Sequence, residues 1–367
     1  MKKRLFLMAM ASVALASCVS EAVTDVKQKD EKVKITFESP VLYNSINSRA
    51  IVHGEIGSHT YPGSSTVYSY PREEKFVIYA VQHDGDLGNW GDAEVHGLNG
   101  KTVEYDNTVD GWTAKDDANK YYYWPAAGKK MSFAASSPAE LEVTDASRNY
   151  GNNGLTITGF EIQADAEKQY DLLYSEIAAN KTAASMTHGA GYYSGVPIKF
   201  YHALSSIRFS ILNETEETVV LKSIEVYGVK YKGDFTQNSG WDLDNAVVEG
   251  TAPYTGYSGS VTFPDEAQYV AYLDATNSNQ LLLMPQDLSD EAVVKVTYEV
   301  NGTEQSPKIA VFKDWKDTND NPVTKWEMGH RYIYRLVYSA ATAKKDKIFF
   351  SPSTEDWVEE DIVVIKL

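Results

Sequence analysis

Alternation of apolar and polar residues is the main pattern along this chain, and it predicts strands. In the clearest case Val33, Ile35 and Phe37 alternate with polar neighbours before Pro40 ends the run, which is the period of a half-buried strand. Similar runs occur at residues 75–81, 131–135, 155–162, 198–212, 219–226, 293–300, 309–312, 331–338 and 347–351. Turn-forming clusters of Gly, Asn, Asp and Pro separate them. We therefore predict an all-β protein of two sandwich-like domains.

The boundary between the two domains is predicted from a loop of small residues at 188–197. It interrupts the pattern just before the long strand-like run 198–212, which we take as one strand. The predicted domains are accordingly residues 50–196 and 197–367, each large enough to enclose its own core.

The N-terminus has the layout of a secretory signal. Three basic residues precede a mostly apolar run at residues 5–16, which is too short to span a bilayer stably. Leu-Ala-Ser-Cys at residues 15–18 resembles the lipobox of bacterial lipoproteins, in which the cysteine accepts a diacylglycerol. We predict a signal peptide at 1–17 and acylation of Cys18, so that acyl chains hold the protein at a membrane. An ordinary cleaved signal beside an unrelated thiol is the alternative.

Charge and composition exclude some classes of function. The chain carries a formal net charge of −17, which becomes −20 once the three positive charges of residues 1–17 are removed. An acidic surface is repelled by nucleic acid and by anionic lipid headgroups, so neither is an expected partner. Cys18 is the only cysteine, so the chain forms no internal disulfide. The 25 tyrosines and 7 tryptophans favour strands over helices.

Catalytic or metal-binding spacings are missing from the sequence. The seven histidines are scattered and form no HExxH pattern. His202 is the strongest single candidate for a ligand, although a core histidine bonded to a neighbour is the simpler interpretation. We therefore predict no enzymatic activity, no catalytic residues, no metal and no cofactor.

Aromatic residues in glycine-rich segments suggest an alternative function. Tyr192 and Tyr193, and likewise Tyr254 and Tyr257, have flat faces and polar tips that suit stacking on sugars. If these side chains are exposed, the protein is a glycan-binding surface lipoprotein that does not polymerise.

Several short segments, each a common β-core pattern alone, follow one another in a specific order over nearly the whole chain. They are ITF at 35–37, SRA at 48–50, FVIYA at 76–80, YYYWP at 121–125, FAA at 133–135, DLLY at 171–174, FYHALS at 200–205, MPQ at 284–286, VTY at 296–298, the segment 326–334, IFF at 348–350 and DW at 356–357. In number and order they resemble the fimbrillin family, the lipoprotein subunits of type V pili on Gram-negative outer membranes.

This resemblance implies two transthyretin-like β-sandwich domains in tandem and polymerisation by strand exchange. An arginine-specific protease would remove the leader, residues 18–49, together with the first strand. Val33, Ile35 and Phe37 would then be the removable apolar residues, and the emptied groove would accept a strand from another subunit.

The same resemblance places the cleavage between Arg49 and Ala50. Arginine is scarce, with seven in the chain, and Arg49 lies in a polar stretch shortly after the first strand. Arg72 is the rival site. If Arg49 is cut, the acylated Cys18 leaves with the leader and serves for delivery to the outer membrane.

The expected donor strand is C-terminal. Val363, Ile365 and Leu367 lie on one face of the last segment and Ile362 and Val364 on the other, so both faces are apolar. The same pattern suits a final core strand of the second domain, so both interpretations stay open. The predicted function is a structural or adhesive fimbrial subunit at the cell surface. Its expected partners are other pilin subunits, the protease and a glycan or protein receptor.

Overall fold

The computed structural model of the protein describes most of the chain that follows Lys32. The described residues are 33–38, 40–42, 57–60, 66–70, 72–126, 128–141, 147–186, 195–244, 246–248, 253–265, 268–269, 281–315, 322–339 and 348–356. The chain divides into two units, Met1–Lys32 and Val33–Leu367, and the description below concerns the second.

Strands form nearly all of the regular structure in these residues. In chain order they begin with β1 (Val41–Leu42), β2 (Gly57–Thr60), β3 (Thr66–Ser69), β4 (Phe76–Asp84), β5 (Glu94–Val95), β6 (Lys101–Asp106), β7 (Gly111–Thr113), β8 (Lys129–Ser137), β9 (Ser147–Gly151), β10 (Gly154–Glu161), β11 (Leu173–Ser175), β12 (Ala178–Lys181) and β13 (Lys199–His202). They continue with β14 (Ser205–Asn213), β15 (Val219–Tyr227), β16 (Lys232–Thr236), β17 (Gly240–Leu243), β18 (Tyr254–Thr262), β19 (Gln268–Tyr269), β20 (Leu281–Leu283), β21 (Gln286–Asp287), β22 (Val293–Val300), β23 (Thr303–Glu304), β24 (Lys308–Val311), β25 (Lys325–Trp326), β26 (His330–Tyr338) and β27 (Ile348–Asp356). Short 3₁₀ helices lie at Trp90–Asp92, Ala166–Lys168, Ala183–Met186 and Phe312–Asp314. The predicted all-β class is confirmed.

The strands assemble into several sheets. The largest has the order β2-β3-β1-β13-β11-β8-β4-β6-β7, with β12 added to β8 and β5 to β4. A second sheet has the order β17-β16-β10-β9. Two five-stranded sheets have the orders β19-β14-β26-β27, with β20 on β14, and β18-β15-β22-β23, with β24 on β22. β21 pairs with β25. Pairing is parallel between β1 and β13 and between β14 and β26.

The alternation seen in the sequence corresponds directly to burial in these sheets. β22 alternates between half-buried and buried positions along its whole length, from Val293 to Val300. It pairs antiparallel with β15, which places Val300 opposite Val219 and Val293 opposite Tyr227. β22 and β15 thus each contribute one apolar face to the core, as expected for an antiparallel sheet with one solvated side.

Two hydrophobic clusters stabilise the fold. The cluster nearer the N-terminus, called the N-terminal cluster below, consists of Ile35, Phe37, Tyr70, Phe76, Ile78, Ala80, Leu98, Val103, Trp112, Ala114, Met131, Phe133, Ala135, Leu173, Val196, Ile198 and Phe200. The larger cluster combines residues from early and late parts of the chain, from Tyr79 to Tyr338.

The prediction of one strand at 198–212 is wrong. The chain leaves β13 at Ala203 and enters β14 in another sheet after Leu204. The backbone partner changes at the same point, because the Ala203 N–H donates to the Leu172 carbonyl at 2.8 Å whereas the Leu204 carbonyl accepts from the Gly329 N–H at 2.9 Å. The apolar residues stand at even positions before this switch (Ile198, Phe200) and at odd positions after it (Ile207, Phe209), and the prediction overlooked this change of phase.

The division into domains at 50–196 and 197–367 stays a prediction. β10 and β16 lie on opposite sides of the predicted boundary, yet they pair antiparallel in one sheet. β13 follows the boundary but pairs with β1 and β11 of the largest sheet.

Gly228 provides a test of the packing between β15 and the turn before β22. Its φ is +70°, and a Cβ there would overlap the backbone of Glu291 and Ala292. We expect Gly228→Ala to lower the free energy of unfolding by more than about 3 kcal/mol, because strain and overlap add. Gly85 has a φ of +69° with open space around it, so Gly85→Ala should cost only about 1–2 kcal/mol. Urea unfolding of both variants measures this, and equal losses would contradict it.

Candidate functional site

The first described segment, residues 33–38, lies as an added strand against two edges of the structure. One edge comprises Trp112 and the stretch around Tyr123, and both contacts with it are antiparallel. The other edge is Val196, which pairs with the segment in the parallel direction. We call the space that this segment fills the N-terminal groove.

On the first edge, backbone hydrogen bonds follow the strand from residue to residue. The Ile35 N–H donates to the Tyr122 carbonyl at 2.9 Å, and the Trp124 N–H donates to the Val33 carbonyl at 3.0 Å. The buried Thr113 hydroxyl also donates to the Ile35 carbonyl, at 3.1 Å. This edge therefore satisfies both polar groups of the Ile35 backbone.

The second edge binds the end of the segment. The Phe37 N–H donates to Trp112 on the first edge at 2.8 Å, whereas the Glu38 N–H donates to the Val196 carbonyl at 3.0 Å. The Val196 N–H in turn donates to the Thr36 carbonyl at 2.8 Å. Residues 33–38 thus connect two edges, and removing them would leave backbone groups without partners on both.

Two side chains of the segment fill the N-terminal groove. Ile35 is 1% exposed and Phe37 is fully buried. The Phe37 ring meets those of Phe76 and Phe133 edge-on, with centroids 6.1 and 5.7 Å apart. Burying one such side chain contributes about 1.5–3 kcal/mol. These two side chains accordingly provide most of the apolar contact made by the segment.

Val33 departs from the sequence expectation, because its side chain is 53% exposed. Its carbonyl accepts a hydrogen bond from Trp124, and Pro125 follows, which has no N–H to extend the pairing. The partner edge therefore ends opposite Val33. Of the three apolar residues predicted to occupy the groove, two do so.

Gly195 makes the second edge of the groove unusually close. A Cβ at this position would lie 2.6 Å from the Phe37 carbonyl carbon and from the Glu38 nitrogen. Only a glycine lets the two backbones approach this far. Neither Gly195 nor the hydroxyl of Thr113 was identified from the sequence, since no local pattern shows which distant strand they touch.

Tyr70 closes the groove beyond Pro40. Its N–H donates to the Pro40 carbonyl at 3.0 Å, and its buried hydroxyl lies 2.7 Å from the Ser137 hydroxyl. Its ring contacts those of Trp112 and Phe200, with centroids 5.3 and 5.6 Å away. Burial raises the pKa of the Tyr70 hydroxyl, which keeps it neutral.

A polar arrangement lines the rim of the groove. The Lys34 ammonium lies over the Tyr121 ring, 4.1 Å from its centroid. The Tyr121 hydroxyl donates to Asp106 at 2.9 Å, and the Lys115 ammonium reaches the same carboxylate oxygen at 2.7 Å. Hydrogen bonding to Lys115 holds the pKa of Asp106 well below its ordinary value, so the carboxylate stays charged.

His202 lies in the interior, as the simpler interpretation of the sequence predicted. Its Nδ1 is 2.7 Å from the Asp171 carboxylate, and both side chains are almost completely buried. Among the described residues no group of three or more His, Cys, Asp and Glu side chains is placed to bind a metal ion.

Several predicted site residues lie outside the described residues. They are Cys18, Arg49, Ala50, Tyr192, Tyr193, Val363, Ile365 and Leu367. The rival cleavage residue Arg72 is described, and its exposed guanidinium lies 4.1 Å from the centroid of the Tyr105 ring. In the part of the chain that can be described, no helix is long and apolar enough to cross a membrane.

Tyr254 and Tyr257 differ from the expectation of exposed loop aromatics. Both lie in β18, and Tyr254 is buried with its hydroxyl donating to the Ile162 carbonyl at 3.1 Å. Tyr254 is therefore a core residue, because its ring and its hydroxyl both find partners inside the protein.

Comparison with known proteins identifies the family. The model of the fimbrillin-like family matches residues 71–357. The chain belongs to the fimbrillin-like family. This confirms the resemblance seen in the sequence.

Solved structures show what this fimbrillin-like chain is similar to. A fimbrial protein from Bacteroides vulgatus is 16% identical with a TM-score of 0.53, over 77% of this chain and 93% of the other. A protein from Bacteroides uniformis with a suggested role in cell adhesion is 14% identical with a TM-score of 0.48, over 90% and 99%. A fimbrilin from Porphyromonas gingivalis is 11% identical with a TM-score of 0.36, over 89% and 98%. No curated protein sequence matches the chain. The first likeness supports the fold.

Gly195→Ala tests the close second edge in this fimbrillin-like chain. The added methyl would push against Phe37 and Glu38, so we expect about 1–3 kcal/mol less stability. Hydrogen exchange at the Ile35 and Phe37 amides should accelerate more than exchange in β22. Gly88→Ala is the matched control, because nothing lies within 4 Å of its added Cβ. Unchanged exchange in Gly195→Ala would show that the groove is looser than described.

Asp171→Ala tests the buried contact with His202. Removing one partner leaves the other polar group buried without it, which should lower the free energy of unfolding by about 3–5 kcal/mol. Urea unfolding at neutral pH measures the change. Asp92→Ala removes an exposed aspartate and should cost less than about 1 kcal/mol, so similar losses in the two variants would refute a stabilising role for the pair.

Proposed function

We propose that the protein is a structural subunit of a cell-surface fimbria that polymerises by exchange of its N-terminal strand. The observation that carries this proposal is the position of residues 33–38, which connect two edges and bury Ile35 and Phe37 although they begin the described chain. A sheet that loses such a strand exposes unpaired backbone groups and an apolar groove, and a strand from another subunit satisfies both. Family membership supports a structural rather than an enzymatic role.

Cleavage at Arg49 fits the arrangement of the neighbouring strands. β1 (Val41–Leu42) also precedes Arg49, and it pairs with both β13 and β3. Removal of the leader would therefore take two consecutive pairing segments out of the structure, 33–38 and β1. The opening would extend from the N-terminal groove into the largest sheet.

Cleavage at Arg72 would destabilise the remaining structure much more than cleavage at Arg49. It would also remove Tyr70, whose buried ring and hydroxyl contact Phe76, Trp112 and Ser137. Loss of these contacts would damage the N-terminal cluster itself as well as empty its groove. On this argument Arg49 is the cleavage site and Arg72 is an exposed surface arginine.

The donor in this proposal is the C-terminal segment of another copy, with Val363, Ile365 and Leu367 as its apolar residues. A final core strand remains the other interpretation of this segment. The lipobox-like sequence supports delivery of the sealed precursor to the outer membrane through acylated Cys18, and the acyl chains would leave with residues 18–49. The alternative function, glycan binding, is supported by one aromatic residue fewer than the four considered, since Tyr254 is buried and cannot stack on a sugar.

Arg49→Ala tests the proposed function. Full-length protein at the cell surface should have an N-terminus at Ala50 and form polymers, whereas Arg49→Ala should keep the leader and stay monomeric. N-terminal sequencing and size analysis of surface extracts measure both properties. Arg72→Ala is the matched control and should process and polymerise like the unsubstituted chain. Polymers that retain residues 18–49 would refute strand exchange.

A further inference from the structure

We propose that the Tyr121 ring at the rim of the N-terminal groove is a seat for a cation on the incoming strand. That strand is residues 363–367 of a second copy, inserted in the direction opposite to residues 33–37 so that Lys366 takes the place of Lys34. The proposal rests on the strand exchange proposed above and specifies its partner, register and direction.

The seat is built from residues that stay when the leader leaves. The Tyr121 hydroxyl is bonded to Asp106, and the Asp106 charge is matched by Lys115 at 2.7 Å. The Asp106 side chain is buried, and Tyr121 pairs with Lys115 through its backbone. None of these contacts involves Lys34, so the ring stays in position without it. The Lys115 ammonium also lies 5.1 Å from the ring centroid, and a new cation would take the nearer place of Lys34 at 4.1 Å. A recognition element that is held in advance loses little free energy on binding.

The chemistry of the seat selects a positive charge. An aromatic face attracts an ammonium or guanidinium group through its quadrupole, and Lys34 occupies this position in the precursor, 4.1 Å from the ring centroid. Lys34 is backbone-paired with Tyr123, so Tyr121 is its diagonal neighbour on the adjacent strand. The Tyr121 ring therefore contacts the side chain at one specific position of the strand that fills the groove.

The C-terminal sequence matches the departing strand when it is read backwards. Residues 33–37 are V-K-I-T-F, and residues 367–363 in reverse are L-K-I-V-V. Position for position, both have an apolar residue, lysine, isoleucine, a β-branched residue and an apolar residue. β-strands pair in either direction, so reversal does not prevent the backbone from bonding to both edges.

The lysine distinguishes the two directions of insertion. In both directions Ile365 can fill the site of Ile35. Forward insertion puts Val364 over Tyr121 and moves Lys366 to the half-buried position of Thr36. Reverse insertion puts Lys366 on the ring, where the charge has a partner.

Reverse insertion also predicts an imperfect fit that can be repaired. Val363 would replace Phe37, which packs against Phe76 and Phe133. The smaller side chain leaves space among these rings. Val363→Phe should therefore strengthen the exchange if the strand is reversed. In forward insertion Leu367 has this place, and Val363→Phe would fall at the exposed position of Val33 with little effect.

The test uses full-length protein treated with an arginine-specific protease, with polymer formation followed over protein concentration. Lys366→Met should weaken polymerisation about two- to fivefold, and Lys366→Arg should not. On the acceptor, Tyr121→Leu should weaken it to the same extent, whereas Tyr121→Phe keeps the ring face and should retain it. The double variant Lys366→Met with Tyr121→Leu should be no worse than either single variant, because one contact is lost in all three.

Two further measurements make the outcome decisive. A photo-reactive residue in place of Lys366 should crosslink to residues 121–123 of the neighbouring subunit, and crosslinks to 112–113 or 195–196 would overturn the reversed register. In the uncleaved precursor, Lys34→Met should accelerate hydrogen exchange at the Ile35 amide about two- to fivefold. If the substitutions of Lys366 and Tyr121 leave polymer formation unchanged, this inference alone is wrong. Absence of polymer in the unsubstituted, processed chain would overturn strand exchange and this inference together.

Discussion

The N-terminal half of the structure depends on one added strand. Residues 33–38 bond to the edge at Trp112–Trp124 and to Val196, and they bring Phe37 into the centre of the N-terminal cluster. The backbone groups of both edges are therefore hydrogen-bonded only while this strand is present. Because unpaired edges recruit other strands, a chain that lacked residues 33–38 would expose edges able to pair with another chain.

Electrostatics bear on the proposed assembly of several copies, which requires a short-range attraction. The chain has a net charge of −17, so copies of it repel one another at a distance. Burial of apolar side chains and backbone hydrogen bonding act only on contact and are not screened by salt to the same extent. The Asp106–Lys115 ion pair lies beside Tyr121, and the Lys34 ammonium lies 4.1 Å from the centroid of the Tyr121 ring.

Sequence reasoning succeeded where the determining interaction is local. β22 alternates strictly and β15 alternates with one irregularity at Lys222–Ser223, and each was predicted to within one residue of its observed bounds. It failed at Ala203 and Leu204, where the phase of the alternation changes as the backbone passes from one sheet to another. It also misjudged Val33 and Tyr254, since the exposure of each depends on where a distant partner ends or what a distant carbonyl accepts.

By itself the sequence determined the all-β class, the family and the strand-like alternation of residues 33–37, because strand periodicity and the order of core segments are local properties of the chain. The tertiary structure decided which edges that strand connects, that Gly195 must be small and that Lys34 lies on Tyr121. Those contacts join residues at least 75 positions apart, and no local period records which distant strands will become neighbours.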